Sequence, residues 1–120
     1  MSPPDAGGKA LQLMPDIDRV VHEPARLMIL AHLYVVERAD FLFLMRQTGL
    51  TFGNLSSHMS KLEAAGYIDI EKGFVGKKPH TMLHITDEGR IALREYQQNM
   101  KQVLDRALLS EPRQAASGPR

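Results

Sequence analysis

Residues 50–68 read LTFGNLSSHMSKLEAAGYI and contain, in order, the start, the body and the end of a helix. Thr51 belongs to the residue types that cap helix N-termini, because its hydroxyl can accept a hydrogen bond from an otherwise unpaired backbone N–H. Apolar residues at helical spacing predict one buried stripe. They are Leu55, Met59 and Leu62. Gly66 suits the left-handed conformation that commonly ends a helix, so we predict a helix over 51–65.

The rest of this predicted helix is mostly small and polar. It includes Asn54, Ser56, Ser57, His58, Ser60 and Lys61. Helices at a protein surface usually carry polar residues opposite their buried stripe. The composition of this face alone therefore does not separate a binding surface from an ordinary solvated one.

Two further helices are predicted before this segment. Pro24 suits the first turn of a helix, where its missing N–H leaves no hydrogen bond unmade, and apolar residues continue at helical spacing to Val36. A short helical lead-in is predicted before it. Its apolar residues are Ile17, Val20 and Val21. Asp40 is a candidate N-cap for the second helix, which is predicted to stop at Gly49.

After Gly66 the hydrophobic pattern changes from helical to alternating. Residues 67–72 and 81–85 place apolar and polar side chains at alternate positions, which is typical of half-buried strands. Residues 73–80 include two glycines and a proline and are predicted as the connecting loop. This region therefore predicts a β-hairpin.

A last helix is predicted from the N-cap Thr86 to Leu109. Acidic residues in its first turn interact favourably with the positive, N-terminal end of the helix dipole. Its apolar residues follow spacings of three and four, the pattern of a coiled-coil seam. They are Leu93, Tyr96, Met100, Val103 and Ala107, with Leu104 beside them. The second half of this stripe extends past the core that so small a domain needs. We expect it to form a homodimer interface, and closure of the chain's own core is the alternative.

The composition is that of a globular protein, with 43% hydrophobic and 24% charged residues among 120. We expect one domain over 16–109, with flexible tails at 1–15 and 110–120. The chain has no cysteine, which excludes disulfides and thiolate metal sites. No apolar run approaches the length that spans a membrane, and the N-terminus does not read as a secretory signal. The expected location is therefore the cytoplasm.

Four separated runs occur in the order found in one family of regulators. They are Gly53–Ser56, Lys61–Tyr67, Gly76–Pro79 and Thr86–Arg90. Across about residues 16–105, the chain resembles the short winged-helix transcriptional regulators related to MarR-like and ArsR-like DNA-binding proteins. The resemblance implies an α+β fold: a winged helix-turn-helix with three helices, a β-hairpin wing and a long C-terminal dimerisation helix. It also implies regulation of transcription by a homodimer bound to double-stranded DNA.

In that reading, residues 51–65 are a recognition helix in the major groove, where short side chains let the backbone approach base edges. The wing, residues 73–80, contacts phosphates or the minor groove. From Lys72 to Thr86 there are three lysines and two histidines but no carboxylate, which favours a polyanionic partner. The predicted DNA contacts are Thr51, Phe52, Asn54, Ser56, Ser57, His58, Lys61, Lys77 and Lys78.

The same residues have other interpretations. Phe52 can instead fold back on the second helix, and the polar helix with its hairpin can belong to a protein-interaction module that binds no DNA. The five histidines suggest a metal sensor, but they are dispersed along the chain, so no metal site and no cofactor are expected. No glycine-rich phosphate loop or spaced Ser/His/Asp set points to an enzyme.

Overall fold

The computed structural model describes residues 16–110 and 112. In this part of the chain there are four α-helices and one three-stranded antiparallel sheet. The elements are α1 (Pro24–Val36), β1 (Arg38–Asp40), α2 (Phe41–Thr48), α3 (Phe52–Ala64), β2 (Ile68–Val75), β3 (Lys78–Ile85) and α4 (Asp87–Leu109). This order confirms the predicted winged helix-turn-helix architecture. The tail predicted at 1–15, and nearly all of that at 110–120, lie outside the described residues.

The helices begin and end where the sequence predicted. Oδ1 of Asp40 accepts the N–H of Phe43 at 2.7 Å, and Oγ1 of Thr51 accepts the N–H of Asn54 at 3.2 Å. Gly49 ends α2 with a φ of 71°, a conformation that costs a residue with a Cβ more than it costs glycine. Local capping chemistry therefore sets these boundaries.

The predicted helical lead-in before α1 is wrong. Residues 19–21 form a turn. Oδ1 of Asp18 accepts the N–H groups of Val20 at 2.8 Å and of Val21 at 3.1 Å. By accepting the N–H groups of residues that follow it in the chain, the Asp18 side chain supplies hydrogen bonds that compete with those of a helix.

The sheet has the order β1-β3-β2 and contains more strand than predicted. The short strand β1 was not foreseen, and most of the predicted loop 73–80 is paired, because β2 and β3 join through the two-residue turn Gly76-Lys77. Gly76 has a φ of 62° while Lys77 lies outside the left-handed region, as in a type II′ turn.

Pro79 is compatible with strand β3 because nothing requires its missing N–H. It lies opposite Phe74, one pair beyond the hydrogen-bonded pair that closes the two-residue hairpin. Because hydrogen-bonded and non-hydrogen-bonded pairs alternate, the Phe74–Pro79 pair is a non-hydrogen-bonded one. On the other side of β3, pairing with β1 begins only at Met82. A proline here consequently breaks no sheet hydrogen bond.

The chain divides into two compact units, and residues 18–97 form one of them. This unit contains a core of fully buried side chains drawn from the turn before α1, from α1, α2 and α3, and from the sheet. They are Val21, Ile29, Leu30, Leu33, Leu44, Leu55, Leu62, Ile68 and Leu83. Burial of each contributes about 1.5–3 kcal/mol relative to exposure. Leu55, Met59 and Leu62 are all buried, which confirms the stripe predicted for α3.

The start of α4 is bound tightly to the junction between α3 and β2. Oγ1 of Thr86 donates to the carbonyl of Gly66 at 2.6 Å, and the Thr86 N–H donates to the carbonyl of Tyr67 at 3.0 Å. The Thr86 hydroxyl also accepts the N–H of Gly89 at 3.0 Å, which confirms Thr86 as the cap. A Cβ on residue 89 would lie 2.2 Å from the Tyr67 carbonyl oxygen. The hydrogen bonds of Thr86 and the lack of space for a Cβ at residue 89 therefore explain the Thr-x-x-Gly run.

Candidate nucleic-acid interface

The outward side of α3 is small and polar, as the sequence predicted. The predicted contacts Thr51, Asn54, Ser57 and Lys61 are exposed, and Ser56 is half-buried. Asn54, Ser57 and Lys61 are spaced three and four residues apart and therefore lie along one side of the helix. The buried stripe holds the opposite side in the core, so this polar side stays available to a ligand.

Phe52 combines the two roles considered for it. Its ring centroid lies 4.9 Å from that of Phe41, the first residue of α2, at an interplanar angle of 49°. Its side chain is nevertheless 68% exposed. Phe52 thus packs on α2 and still presents most of its ring to solvent.

His58 does not lie with the outward residues of α3. Its side chain is 18% exposed, and its Nδ1 lies 3.2 Å from Nη1 of Arg26 and 3.9 Å from Oε1 of Glu23. Burial raises the pKa of Glu23, but the hydrogen bond from the Arg26 N–H and the nearby charge of His58 more than offset it, so the pKa is lowered. This geometry favours a role in joining α3 to the start of α1.

The tip of the hairpin is basic and apolar. Lys77 and Lys78 are exposed, and so are Phe74 (73%) and Val75 (63%). Glu71, the carboxylate just before the acid-free stretch, lies 3.3 Å from Nε2 of His84. Phe74 and Val75 were not among the predicted contacts, although they are two adjacent apolar residues inside the predicted wing.

A groove of about 730 Å³ separates α3 from the hairpin. Its apolar lining comes mainly from Phe41, Phe52, Met59 and Ile70, and its polar lining includes Lys72 and Glu63. Nε2 of His80 lies 3.6 Å from Oδ2 of Asp40 at its edge. The helix and the hairpin are therefore two separate ridges with a channel between them.

The apolar stripe predicted on the last helix is divided. Leu93 and Tyr96 pack against the core of residues 18–97, and Oη of Tyr96 lies 2.9 Å from Nδ1 of His22. For these two residues the alternative, closure of the chain's own core, therefore holds.

The remaining stripe residues lie in the segment after Gln97. Val103 is 7% exposed and Met100 is half-buried, whereas Leu104 is 50% exposed and Ala107 is exposed. Leu108 follows Leu104 by one helical turn and is 78% exposed. Leu104, Ala107 and Leu108 thus form an open apolar edge, whereas Val103 is already buried within the single chain.

Within residues 16–110, no three histidine or carboxylate side chains come together as a metal site. In the same range, no helix has the length and apolar character needed to cross a membrane.

Comparison with known proteins identifies the family. Residues 25–104 match the family described as winged helix DNA-binding domain. An uncharacterized protein of Methanocaldococcus jannaschii is 35% identical over 78 residues, which are 65% of this chain and 85% of that protein.

Solved structures agree with the family match. A transcriptional regulator homologue from Pyrococcus horikoshii OT3 superposes with a TM-score of 0.71 at 30% identity, over 81% of this chain and 95% of that one. A MarR-family transcriptional regulator from Silicibacter pomeroyi shares the fold, with a TM-score of 0.56 at 17% identity over 84% of this chain and 65% of that one. The chain belongs to the winged helix DNA-binding domain family.

Proposed function

We propose that the chain is a sequence-specific regulator of transcription that binds duplex DNA as a homodimer. Residues 51–65 enter the major groove as the recognition helix, and the wing, residues 73–80, contacts phosphates or the minor groove. One observation carries the proposal: the exposed small polar side of α3 lies beside a hairpin that has lysines but no carboxylate at its tip.

Each exposed polar residue of α3 has a matching group on DNA. Asn54 can form two hydrogen bonds with the N6 and N7 groups of adenine, and Ser57 can bond to several bases. Thr51 and Ser56 suit nearby phosphates at the start of the helix, where backbone N–H groups and the helix dipole favour anions. Lys61, farther along the helix, suits a phosphate and adds affinity without selecting a sequence.

The wing lysines are tested by the salt dependence of binding. Each phosphate contact contributes about 0.9 to the slope of log K against log salt concentration. Because each chain of the proposed homodimer carries both lysines, we expect Lys77→Ala/Lys78→Ala to reduce the magnitude of the slope by about 3.6. The control Lys101→Ala/Arg106→Ala removes the same charge from exposed positions on α4 and should leave the slope near the wild-type value. Fluorescence anisotropy with a labelled duplex selected by the wild-type protein from a random pool measures all three slopes.

The recognition helix is tested separately. Ser57→Glu places a carboxylate on the outward side of α3, where it would meet phosphates and base acceptors, and should abolish selective binding. Glu63→Gln changes charge on the same helix at a position lining the groove and serves as the control. If the wild-type chain binds no duplex at about 50 mM salt but binds a protein through α3, the protein-interaction module is the correct function instead.

The open apolar edge of α4 supports the proposed homodimer. A symmetric pair places its two recognition helices about 34–36 Å apart, one turn of DNA, on a pseudo-palindromic site. Leu104→Glu/Leu108→Glu should convert the dimer to monomer and weaken binding to the full site. Gln102→Glu, exposed on the same helix, is the matched control. Light scattering at micromolar concentration measures the mass, and a monomeric wild type would refute this part.

A further inference from the structure

We propose that Phe74 and Pro79 form an apolar wedge at the wing tip, which enters the minor groove, partly unstacks a base step and kinks the duplex. The inference rests on the proposed function and adds to it a specific mode of DNA recognition. It assigns a role to two residues that the predicted phosphate contacts leave unexplained.

The pairing of the hairpin brings the two side chains together. Phe74 lies directly opposite Pro79 in a non-hydrogen-bonded pair, the kind in which cross-strand side chains approach most closely. Both residues are exposed, Phe74 by 73%. The proline ring has no rotatable side chain, so it supports the phenylalanine from one side without loss of conformational freedom on binding.

The turn at the end of the hairpin is small. The strands join through only two residues, and the first of them, Gly76, has no side chain. The minor groove of B-DNA is about 6 Å wide. Phenylalanine and proline are both among the side chains that proteins insert between base steps from this groove.

Charge favours DNA over an apolar protein surface as the partner. Lys72 shares the sheet face of Phe74, since side chains alternate along a strand, and Lys77 and Lys78 flank the tip. An apolar protein partner that buried Phe74 would remove these ammonium groups from water without supplying opposite charges. A minor groove supplies phosphates along both of its edges while it accepts an apolar side chain between its bases.

The wedge predicts indirect sequence selection. Pyrimidine–purine steps such as TA and CA unstack most easily, so sites with such a step under the wing should bind best. Kinks from inserted side chains range from about 20° to 90°. The wild-type complex should therefore contain measurably bent DNA.

The test uses a duplex of about three helical turns selected by the wild-type protein from a random pool, with a donor and an acceptor dye at its ends. Fluorescence transfer reports bending, and 2-aminopurine placed under the wing reports unstacking. We expect Phe74→Ala to weaken binding about tenfold and to abolish both the bend and the 2-aminopurine signal. Phe74→Leu, which keeps an apolar wedge, should retain most of the bend. Val35→Ala, which shortens an 80% exposed apolar side chain on α1 outside the wing, should behave as wild type.

The outcomes separate this inference from the proposed function. A wild-type chain that selects no duplex refutes both. A wild-type chain that binds straight DNA, or a Phe74→Ala variant that bends and binds as the wild type does, refutes the wedge and leaves the regulator intact. Loss of bending in Phe74→Ala with unchanged thermal stability, and with Val35→Ala unaffected, supports it.

Discussion

Gly89 offers a direct test of how α4 is attached to the rest of residues 18–97. In Gly89→Ala the new methyl group would lie 2.2 Å from the Tyr67 carbonyl oxygen and 2.9 Å from Cγ1 of Ile85, whereas ordinary contact begins near 3.4 Å. The Ile85 side chain can rotate, but a backbone carbonyl cannot. The start of α4 must therefore move by about 1 Å, which strains the bond from Thr86 to Tyr67.

The expected change in the free energy of unfolding is the difference between two effects. Overpacking of this kind costs about 1–3 kcal/mol, and a backbone clash belongs at the upper end of that range. Alanine in a helix recovers at most about 1 kcal/mol relative to glycine. We expect the free energy of unfolding to fall by about 2 kcal/mol and Tm to fall by about 10 °C.

Thermal and urea unfolding followed by circular dichroism at 222 nm measure both quantities. Gly53→Ala is the matched control, because residue 53 also lies in a helix and a Cβ there would meet nothing within 4 Å. That variant should be unchanged or slightly more stable. If Gly89→Ala is as stable as the wild type, the close approach of α4 to Tyr67 is wrong.

Three further outcomes are expected. Burial, and then the hydrogen bond to Asp18, raises the pKa of Tyr67 to about 12. The stability that this hydroxyl contributes is therefore full below pH 10 and is lost as the pH rises towards 12. The difference in urea midpoint between wild type and Tyr67→Phe should shrink over that range, and a constant difference would contradict the prediction. Glu37 holds a φ of 70°, a conformation that strains a residue with a Cβ. Glu37→Gly should therefore raise the free energy of unfolding by about 0.5–1 kcal/mol, despite the loss of the exposed ion pair with Arg90. A lower Tm would show that this strain is absent. His58→Ala removes the contact between α3 and the start of α1, and should lower Tm by a few degrees even without DNA, whereas a pure DNA contact would change only binding.

Features that depend on neighbouring residues were predictable from the sequence. The caps at Asp40, Thr51 and Thr86 and the stop at Gly49 act within four residues of themselves, and all were confirmed. The buried stripe of α3 follows from helical spacing alone, and with it the outward position of Asn54, Ser57 and Lys61.

Features that depend on distant partners were not predictable. The strand β1 exists because Arg38, Ala39 and Asp40 find an edge on β3, and three residues carry no periodic signal of their own. His58 was predicted to face DNA because the residues that hold it, Glu23 and Arg26, lie more than thirty positions earlier. The strands around Pro79 were predicted as loop because its compatibility depends on pairing register.

The position of β1 in the sheet has a consequence for how the chain is made. Its partner residues, 82–84 of β3, leave the ribosome more than forty residues after it. During synthesis, the helices α1 to α3 can begin to pack, but the segment between α1 and α2 has no strand to join until the whole hairpin has emerged. Loop closure over this distance is slow compared with the local turns. The sheet is therefore completed late, and a nascent chain that stops within β3 keeps this segment unpaired and exposed to chaperones and proteases.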